Sequence, residues 1–122
     1  MPSRDRVLAF IARVESGAHD LAIEEFYTPD ATMQENNAPP RMGRDTLVAQ
    51  ERAVMARAAE IVTHPVKTFL IDGDNVVINW VFEFRFADGR GFRMEELALQ
   101  RWQGDRIAEE RFFYDPAQRV PA

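Results

Sequence analysis

The sequence predicts an α+β fold in which three N-terminal helices pack on a mainly antiparallel sheet, in the order α-α-β-α-β-β-β-β. The main observation is the stretch from Asp74 to Asp115, where alternating apolar and polar residues form three runs separated by Asp88-Gly89 and Gly104-Asp105. Tight glycine turns between alternating runs are typical of an antiparallel meander. A chain of 122 residues without repeats is expected to form one domain over residues 1–122.

Apolar residues at helical spacing predict the three helices. The first lies between Ser3, a good N-cap residue, and Gly17, where a helix would stop. The second is expected from His19 to Tyr27, because Pro29 disfavours helix in the residue before it. Arg44 to Ala59 is the third.

The remaining segments predict strands. Ala31 to Glu35 is expected to be a short strand, and Val62 to Ile71 a longer one with Pro65 at an edge or bulge. The three meander strands follow. If both glycine turns contain two residues, Phe82 pairs with Glu95 and Leu97 pairs with Phe112.

This register predicts the two faces of the sheet. The interior face would hold apolar and polar members together: Trp80, Phe82, Leu97, Leu99, Phe112, Tyr114, Glu95 and Glu110. Buried carboxylates are costly unless they are paired or line a cavity, so the interior is expected to contain a pocket. The opposite face would expose Met94, Trp102 and Phe113, which predicts a homodimer through this outer face.

Composition excludes several function classes. The net charge of −5 argues against a nucleic-acid partner, and no apolar run is long enough to cross a membrane. The absence of cysteine excludes thiol catalysis and zinc–thiolate sites, and it fits a cytoplasmic protein. No cluster of His and carboxylates predicts a metal site, and no phosphate loop or dinucleotide fingerprint predicts a cofactor.

Two stretches carry a resemblance to a known family. These are Phe26-Tyr27-x-x-Asp30-Ala31 and Gly104-Asp105-Arg106-Ile107 running to Tyr114-Asp115. With the helices between them, they resemble the nuclear transport factor 2-like superfamily, and within it the SnoaL-like proteins. The resemblance implies a cone-shaped fold, with helices over a strongly curved sheet and a pocket at the wide end. Members include isomerases, polyketide cyclases and dehydratases as well as non-catalytic domains, so the fold alone does not decide function.

The resemblance to ketosteroid isomerases implies roles for individual residues. Glu35 occupies the position of their carboxylate base, and a carboxylate in an apolar pocket can exchange protons near neutral pH. The tyrosine that these enzymes carry on the first helix is absent, because Phe10 and Ile11 stand there. Tyr114 is then the candidate oxyanion donor, with Tyr27 as the alternative and Glu95 as a hydrogen-bonding partner.

Three functions are therefore compared. The first is a cofactor-free isomerase, cyclase or dehydratase for a small apolar carbonyl or polyketide-like compound, with catalytic residues Glu35, Tyr114 and Glu95. Its pocket walls would be formed by Trp80, Phe82, Leu97, Leu99, Glu110, Phe112 and Tyr27. The second is a binding module for a small apolar molecule, and the third is a structural homodimer with a filled interior. Pocket volume separates the second from the third.

Overall fold

A computed structural model describes residues 1–122 and contains three helices that pack on a curled, open, seven-stranded sheet. The helices are α1 (Arg4–Glu15), α2 (His19–Phe26) and α3 (Arg44–Arg57). The strands are β1 (Tyr27–Glu35), β2 (Arg41–Met42), β3 (Glu60–Thr63), β4 (Phe69–Asp72), β5 (Asn75–Arg85), β6 (Gly91–Gln103) and β7 (Arg106–Phe113). A 3-10 turn, Pro116–Arg119, follows β7. The predicted α+β class and the three helices on a curved sheet are confirmed.

The ends of α1 follow from its flanking residues. The Ser3 side chain accepts a hydrogen bond from the Arg6 backbone N–H at 3.1 Å, which satisfies one of the free donors at the start of the helix. At the other end, Gly17 has a φ of +89°, a conformation that glycine adopts without steric cost. Both predicted boundaries of this helix are confirmed.

The strands form a mixed sheet in the order β2-β1-β7-β6-β5-β3, with β4 also paired to β5. β1 runs parallel to β7, and every other pair is antiparallel. The single strand predicted from Val62 to Ile71 is instead two short strands, β3 and β4, on the same edge of β5. The break spans residues 64–68 and includes Pro65, which cannot donate a ladder hydrogen bond.

The predicted register between β5 and β6 is wrong by one residue. Phe82 lies opposite Met94 rather than Glu95, because the hairpin has a three-residue loop, Ala87-Asp88-Gly89. The Phe86 N–H donates to the Arg90 carbonyl at 2.8 Å across this loop, and Gly89 has a φ of +84°. A three-residue loop that ends in a left-handed glycine is a common alternative to the two-residue turn.

The predicted register between β6 and β7 is also wrong by one, for a different reason. The turn at Gly104-Asp105 has the expected two residues, since Gln103 pairs with Arg106. A β-bulge then makes Ala108 an extra residue, so that Arg101 lies opposite Glu109. A bulge of this kind shifts every later pair by one position.

The shifted register exchanges the faces of β6. Met94, Glu96, Ala98, Gln100 and Trp102 are buried beneath the helices, whereas Glu95, Leu97 and Leu99 are exposed on the outer face. The predicted interior positions of these three residues are therefore wrong, as are the predicted exposed positions of Met94 and Trp102. Buried and exposed residues still alternate along β6 as expected. Their faces are exchanged, because a one-residue slip turns every side chain of a strand to the opposite face.

The buried core is continuous from α1 and α2 to the middle of the sheet. Phe10 of α1 contacts four aromatic rings in edge-to-face geometry, namely those of Phe26, Tyr27, Trp80 and Trp102. Such pairs stabilise the fold beyond the apolar area that they bury. No helix is both long and apolar enough to cross a membrane.

Candidate functional site

A pocket of about 390 Å³ lies between the helices and the interior face of the sheet. Its floor consists of buried residues, including Phe10, Tyr27, Trp80 and Glu110. Its mouth is defined by five lining residues nearer the solvent: Arg41, Arg57, Phe86, Arg119 and Pro121. This volume falls in the range of pockets that enclose a small organic ligand. The interior is therefore not filled, as a purely structural domain would require.

Glu96 is a buried carboxyl that faces the pocket. It lies opposite Trp80 in the β5–β6 ladder, and only 7% of the residue is exposed. Burial raises the pKa of Glu96 to about 8, and the nearby Glu35, Glu110 and Glu51 carboxylates raise it further in the same direction. The positive charge of Arg119 lowers the pKa of Glu96, but no protein group donates a hydrogen bond to its carboxyl. Glu96 is therefore largely protonated at neutral pH and is free to donate a hydrogen bond into the pocket.

Glu110 is a second buried carboxyl, and the protein satisfies its oxygens. The Tyr27 hydroxyl donates to Oε1, and Gln100 Nε2 donates to Oε2 at 2.6 Å. Trp102 Nε1 in turn donates to Gln100 Oε1 at 3.0 Å. Burial raises the pKa of Glu110 to about 7, although the two donors lower it. Burial and the adjacent carboxyl also raise the pKa of Tyr27, which stays a neutral donor.

Glu35 lies in the pocket wall as a paired carboxylate. Arg41 Nη2 lies 2.7 Å from its Oε2, and the Tyr114 hydroxyl donates to its Oε1 at 3.1 Å. Arg119 Nη1 donates to the same tyrosine hydroxyl at 3.2 Å. Partial burial raises the pKa of Tyr114. The Tyr114 hydroxyl thus hydrogen-bonds to Glu35, and β2 supplies a second partner, Arg41, which the sequence reasoning did not identify.

His19 is the one histidine in the pocket lining. Its Nδ1 lies 3.4 Å from Glu51 Oε1, and its Nε2 lies 2.8 Å from Thr63 Oγ1. The side chain is 11% exposed and packs edge-on against Phe82. His64, by contrast, is 38% exposed and pairs with Glu83 on the sheet edge. No group of three or more His, Asp or Glu side chains is arranged to hold a metal ion.

The structure brings six predicted site residues into the pocket lining: Tyr27, Glu35, Trp80, Phe82, Glu110 and Phe112. Tyr114 reaches the site through its hydrogen bond to Glu35. Three others, Glu95, Leu97 and Leu99, lie on the outer face because of the register shift. The assignment of those three to the pocket is corrected, and the chemical roles of the remaining residues stay predictions.

The most important residue missed by the sequence reasoning is Glu96. A signal for it was present in β6, where Arg93, Glu95 and Arg101 alternate with Met94, Ala98 and Trp102. Two arginines in one alternating set mark that set as the solvent face, since arginine is seldom fully buried. The arginines at the mouth had no comparable signal, because tertiary packing brings them there from three separate elements.

Solved structures with the same fold share little sequence with this chain. A protein of unknown function with a cystatin-like fold from Xanthomonas campestris has a TM-score of 0.80 at 19% identity, covering 97% of this chain and 95% of its own. A candidate polyketide cyclase from Pseudomonas putida has a TM-score of 0.79 at 15% identity, with coverages of 97% and 95%.

A third similar structure contains a small molecule. It is a hypothetical protein with a ketosteroid isomerase-like fold from Catenulispora acidiphila, in complex with trimethylamine. It has a TM-score of 0.78 at 18% identity and covers 97% of this chain and 91% of its own. At these identities the likeness establishes the fold alone.

Comparison of the sequence with protein families gives a more specific result. No protein of curated function matches the chain. The family described as the SnoaL-like domain matches residues 7–110, which include the helices, the pocket floor and both buried carboxyls. The chain belongs to the SnoaL-like family of the nuclear transport factor 2-like fold.

Proposed function

We propose that this protein is a cofactor-free acid–base enzyme that moves a proton on a small, largely apolar carbonyl compound in an isomerisation or cyclisation. The observation that carries the proposal is Glu96, a buried carboxyl with a pKa of about 8 that faces an aromatic pocket without a protein partner. A strongly perturbed carboxyl in a cleft is typical of proton-transfer sites. A pocket that only holds an apolar ligand would gain nothing from the Glu96 carboxyl, because burying a carboxyl is costly.

Glu35 and Glu96 together give a balanced reaction. Glu35, which is paired with Arg41, removes a proton from the carbon next to the substrate carbonyl. The electron pair of that C–H bond forms a C=C bond and the π pair of the carbonyl moves onto its oxygen, which accepts a hydrogen bond from the protonated Glu96. In an isomerisation of a β,γ-unsaturated ketone, Glu35 returns its proton to the γ-carbon of the dienolate. In a cyclisation, the enolate carbon attacks a second carbonyl, and Glu35 gives its proton to the alkoxide that forms. A protonated buried acid stabilises the oxyanion without giving up its own proton.

Glu110 and Tyr27 have a supporting role in this scheme. Their hydrogen bond lies on the pocket floor, and Glu110 adds to the negative field that keeps Glu96 protonated. Tyr114 positions Glu35 through its hydroxyl. The likeness in fold to a candidate polyketide cyclase is consistent with this class of reaction.

The test follows deuterium exchange from solvent into the α-carbons of tetralone, an enolisable aromatic ketone, by NMR. We expect the protein to accelerate exchange, and Glu35→Gln to reduce the acceleration by about 10²–10⁴-fold. Glu96→Gln should reduce it by a smaller factor, because the glutamine amide is a weaker donor than the carboxylic acid that it replaces. Glu95→Gln is the matched control, because it is the same substitution one residue away on the outer face. It should exchange at the unmodified rate.

The binding-module alternative makes a different prediction for the same experiment. If tetralone binds, as measured by calorimetry, but exchanges no faster than in buffer, the acid–base proposal fails and the binding module is favoured. Equal rates for Glu96→Gln and Glu95→Gln would also contradict the role assigned to Glu96.

We also propose that the chain forms a homodimer through the outer face of the sheet. The observed register places Leu97 and Leu99 on this face instead of the predicted Met94 and Trp102, and the face still carries both apolar and polar residues. Leu97, Leu99 and Phe113 are 47%, 42% and 40% exposed on adjacent strands β6 and β7. A cluster of large apolar side chains on a sheet face is typical of a subunit interface.

A further inference from the structure

Two arginines at the pocket mouth have no acidic partner. Arg57 lies at the end of α3 and Arg119 lies in the 3-10 turn after β7, and both line the pocket. Neither belongs to any ion pair of the chain. The side chain of Arg119 donates only to the neutral hydroxyl of Tyr114. Two guanidinium groups therefore remain available to a ligand.

Glu51 is the only other ionised residue of the lining without an arginine partner. Arg41 and Glu35 form an ion pair at 2.7 Å. Glu51 lies 3.4 Å from the His19 ring, which would offset its charge only when protonated, so two unpaired arginines face one unpaired carboxylate. The two buried acids, Glu96 and Glu110, both favour their neutral forms relative to ordinary glutamates. The uncompensated charge at the mouth is consequently positive, although the whole chain has a net charge of −5.

An aromatic passage connects this mouth to the buried acids. Phe84 and Phe92 stack with their ring centroids 4.7 Å apart, and Phe86 lies 5.9 Å from Phe92. All three line the pocket, as does Phe82 beneath them. A molecule that fills this space is therefore apolar along its length, contacts arginines at its outer end and contacts the buried carboxyls Glu96 and Glu110 at its inner end.

We propose that Arg57 and Arg119 bind a carboxylate of the substrate at the pocket mouth, so that the substrate class is an apolar carbonyl acid. This inference rests on the proposed function, because it treats the bound molecule as a substrate. Binding of the carboxylate can nevertheless be measured without turnover. Guanidinium groups suit carboxylates because their planar N–H donors match the two carboxylate oxygens. The two arginines would orient the molecule and place its carbonyl end next to Glu96.

The test compares two ligands of nearly equal shape, naphthalene carboxylate and naphthalene carboxamide, by titration calorimetry at low ionic strength. We expect the carboxylate to bind at least about tenfold more tightly, since hydrogen bonds to charged groups contribute more than neutral ones. In the double variant Arg57→Gln/Arg119→Gln this preference should disappear, so that the carboxylate binds no more tightly than the carboxamide. Added salt should reduce the preference of the unmodified protein.

A charge-matched control separates local contact from general electrostatics. Arg93→Gln/Lys67→Gln removes the same two positive charges from exposed positions outside the pocket. It should keep the full preference for the carboxylate. Equal binding of the two ligands by the unmodified protein, equal loss of preference in both double variants, or no binding of either ligand would each overturn the inference.

The inference and the proposed function can fail separately. A protein that prefers the carboxylate through Arg57 and Arg119 but does not accelerate exchange into tetralone would keep the anion site and lose the acid–base proposal. Acceleration of tetralone exchange without any carboxylate preference would keep the acid–base proposal and lose the anion site.

Discussion

At the scale of single residues, Glu95 and Glu96 show how the environment determines chemistry. The two carboxyls are adjacent in sequence, yet Glu95 is exposed on the outer face and Glu96 is buried beside Trp80. Only Glu96 loses its hydration shell, and its pKa rises to about 8. The chemical difference between these two glutamates therefore results from orientation alone.

The raised pKa of Glu96 predicts a dependence of stability on pH. An unfolded glutamate titrates near about 4.3. Between that value and about 8, the folded chain binds more protons than the unfolded chain. The free energy of unfolding should therefore fall as pH rises from about 5 to about 8, by up to about 1.4 kcal/mol per pH unit for this group. Carboxyls with a lowered pKa, such as Glu109, change the free energy of unfolding at lower pH, where they become protonated.

Urea denaturation at several pH values measures this effect. Glu96→Gln should lose less stability between pH values of about 5 and 8, because glutamine does not titrate. Glu95→Gln should keep the slope of the unmodified protein. If Glu96→Gln and the unmodified protein show the same slope over this range, then Glu96 does not titrate as its burial indicates. The remaining slope in Glu96→Gln is assigned to Glu110, whose pKa is about 7.

At the scale of elements, β6 decides what the pocket contains. Its position is set by a three-residue hairpin loop on one side and a β-bulge on the other. The loop and the bulge each shift the register by one residue, so every side chain of β6 faces opposite to the prediction. For β7 the two shifts cancel, and Glu110 and Phe112 face inward as expected. The three-residue loop that precedes β6 thus determines which of its side chains enter the pocket, Glu96 included.

The first residue of β6, Gly91, provides a test of how tightly this hairpin is packed. A Cβ atom at Gly91 would lie 2.3 Å from the Phe84 carbonyl oxygen, a distance that requires the backbone to move. Gly91 also exchanges two backbone hydrogen bonds with Ala122, which anchor the segment that carries Arg119. We expect Gly91→Ala to reduce the free energy of unfolding by about 2–3 kcal/mol, measured by urea denaturation.

Gly73→Ala is the control for this substitution. Gly73 has a φ of +60° in the β4–β5 turn, and no atom lies within 4 Å of an added Cβ. Its replacement should cost only the backbone strain, about 1 kcal/mol. Equal costs for Gly73→Ala and Gly91→Ala would indicate that the close approach at Phe84 relaxes freely.

At the scale of the whole molecule, the outer face predicts association. Sedimentation velocity at micromolar concentration should give twice the mass of one chain, because Leu97, Leu99 and Phe113 would otherwise remain in water. Leu97→Lys/Leu99→Lys should reduce the mass to that of one chain, since two lysines on each copy would meet at a two-fold interface. Leu21→Lys, on an exposed helical site of similar accessibility, should leave the mass unchanged. The mass of a single chain for the unmodified protein would contradict the proposal.

The fold of the whole chain also determines which residues surround the pocket mouth. Helix α3, the β5–β6 hairpin and the segment after β7 each contribute a residue to the mouth, namely Arg57, Phe86 and Arg119. These residues are far apart in sequence, and nothing in their local patterns distinguishes them from solvated side chains. Their common location results from the curl of the sheet under the helices.

The sequence by itself determined the class of fold, the three helices and the meander, because helical and strand periodicity, caps and glycine turns are local properties of the chain. It also indicated six pocket residues: alternation on β5 and β7 indicated Trp80, Phe82, Glu110 and Phe112, and the family resemblance indicated Glu35 and Tyr27. Only the tertiary structure decided that Glu96 rather than Glu95 enters the pocket. That choice depends on one extra loop residue and one bulge, whose energies differ little from those of the alternatives until the helices cover one face of the sheet.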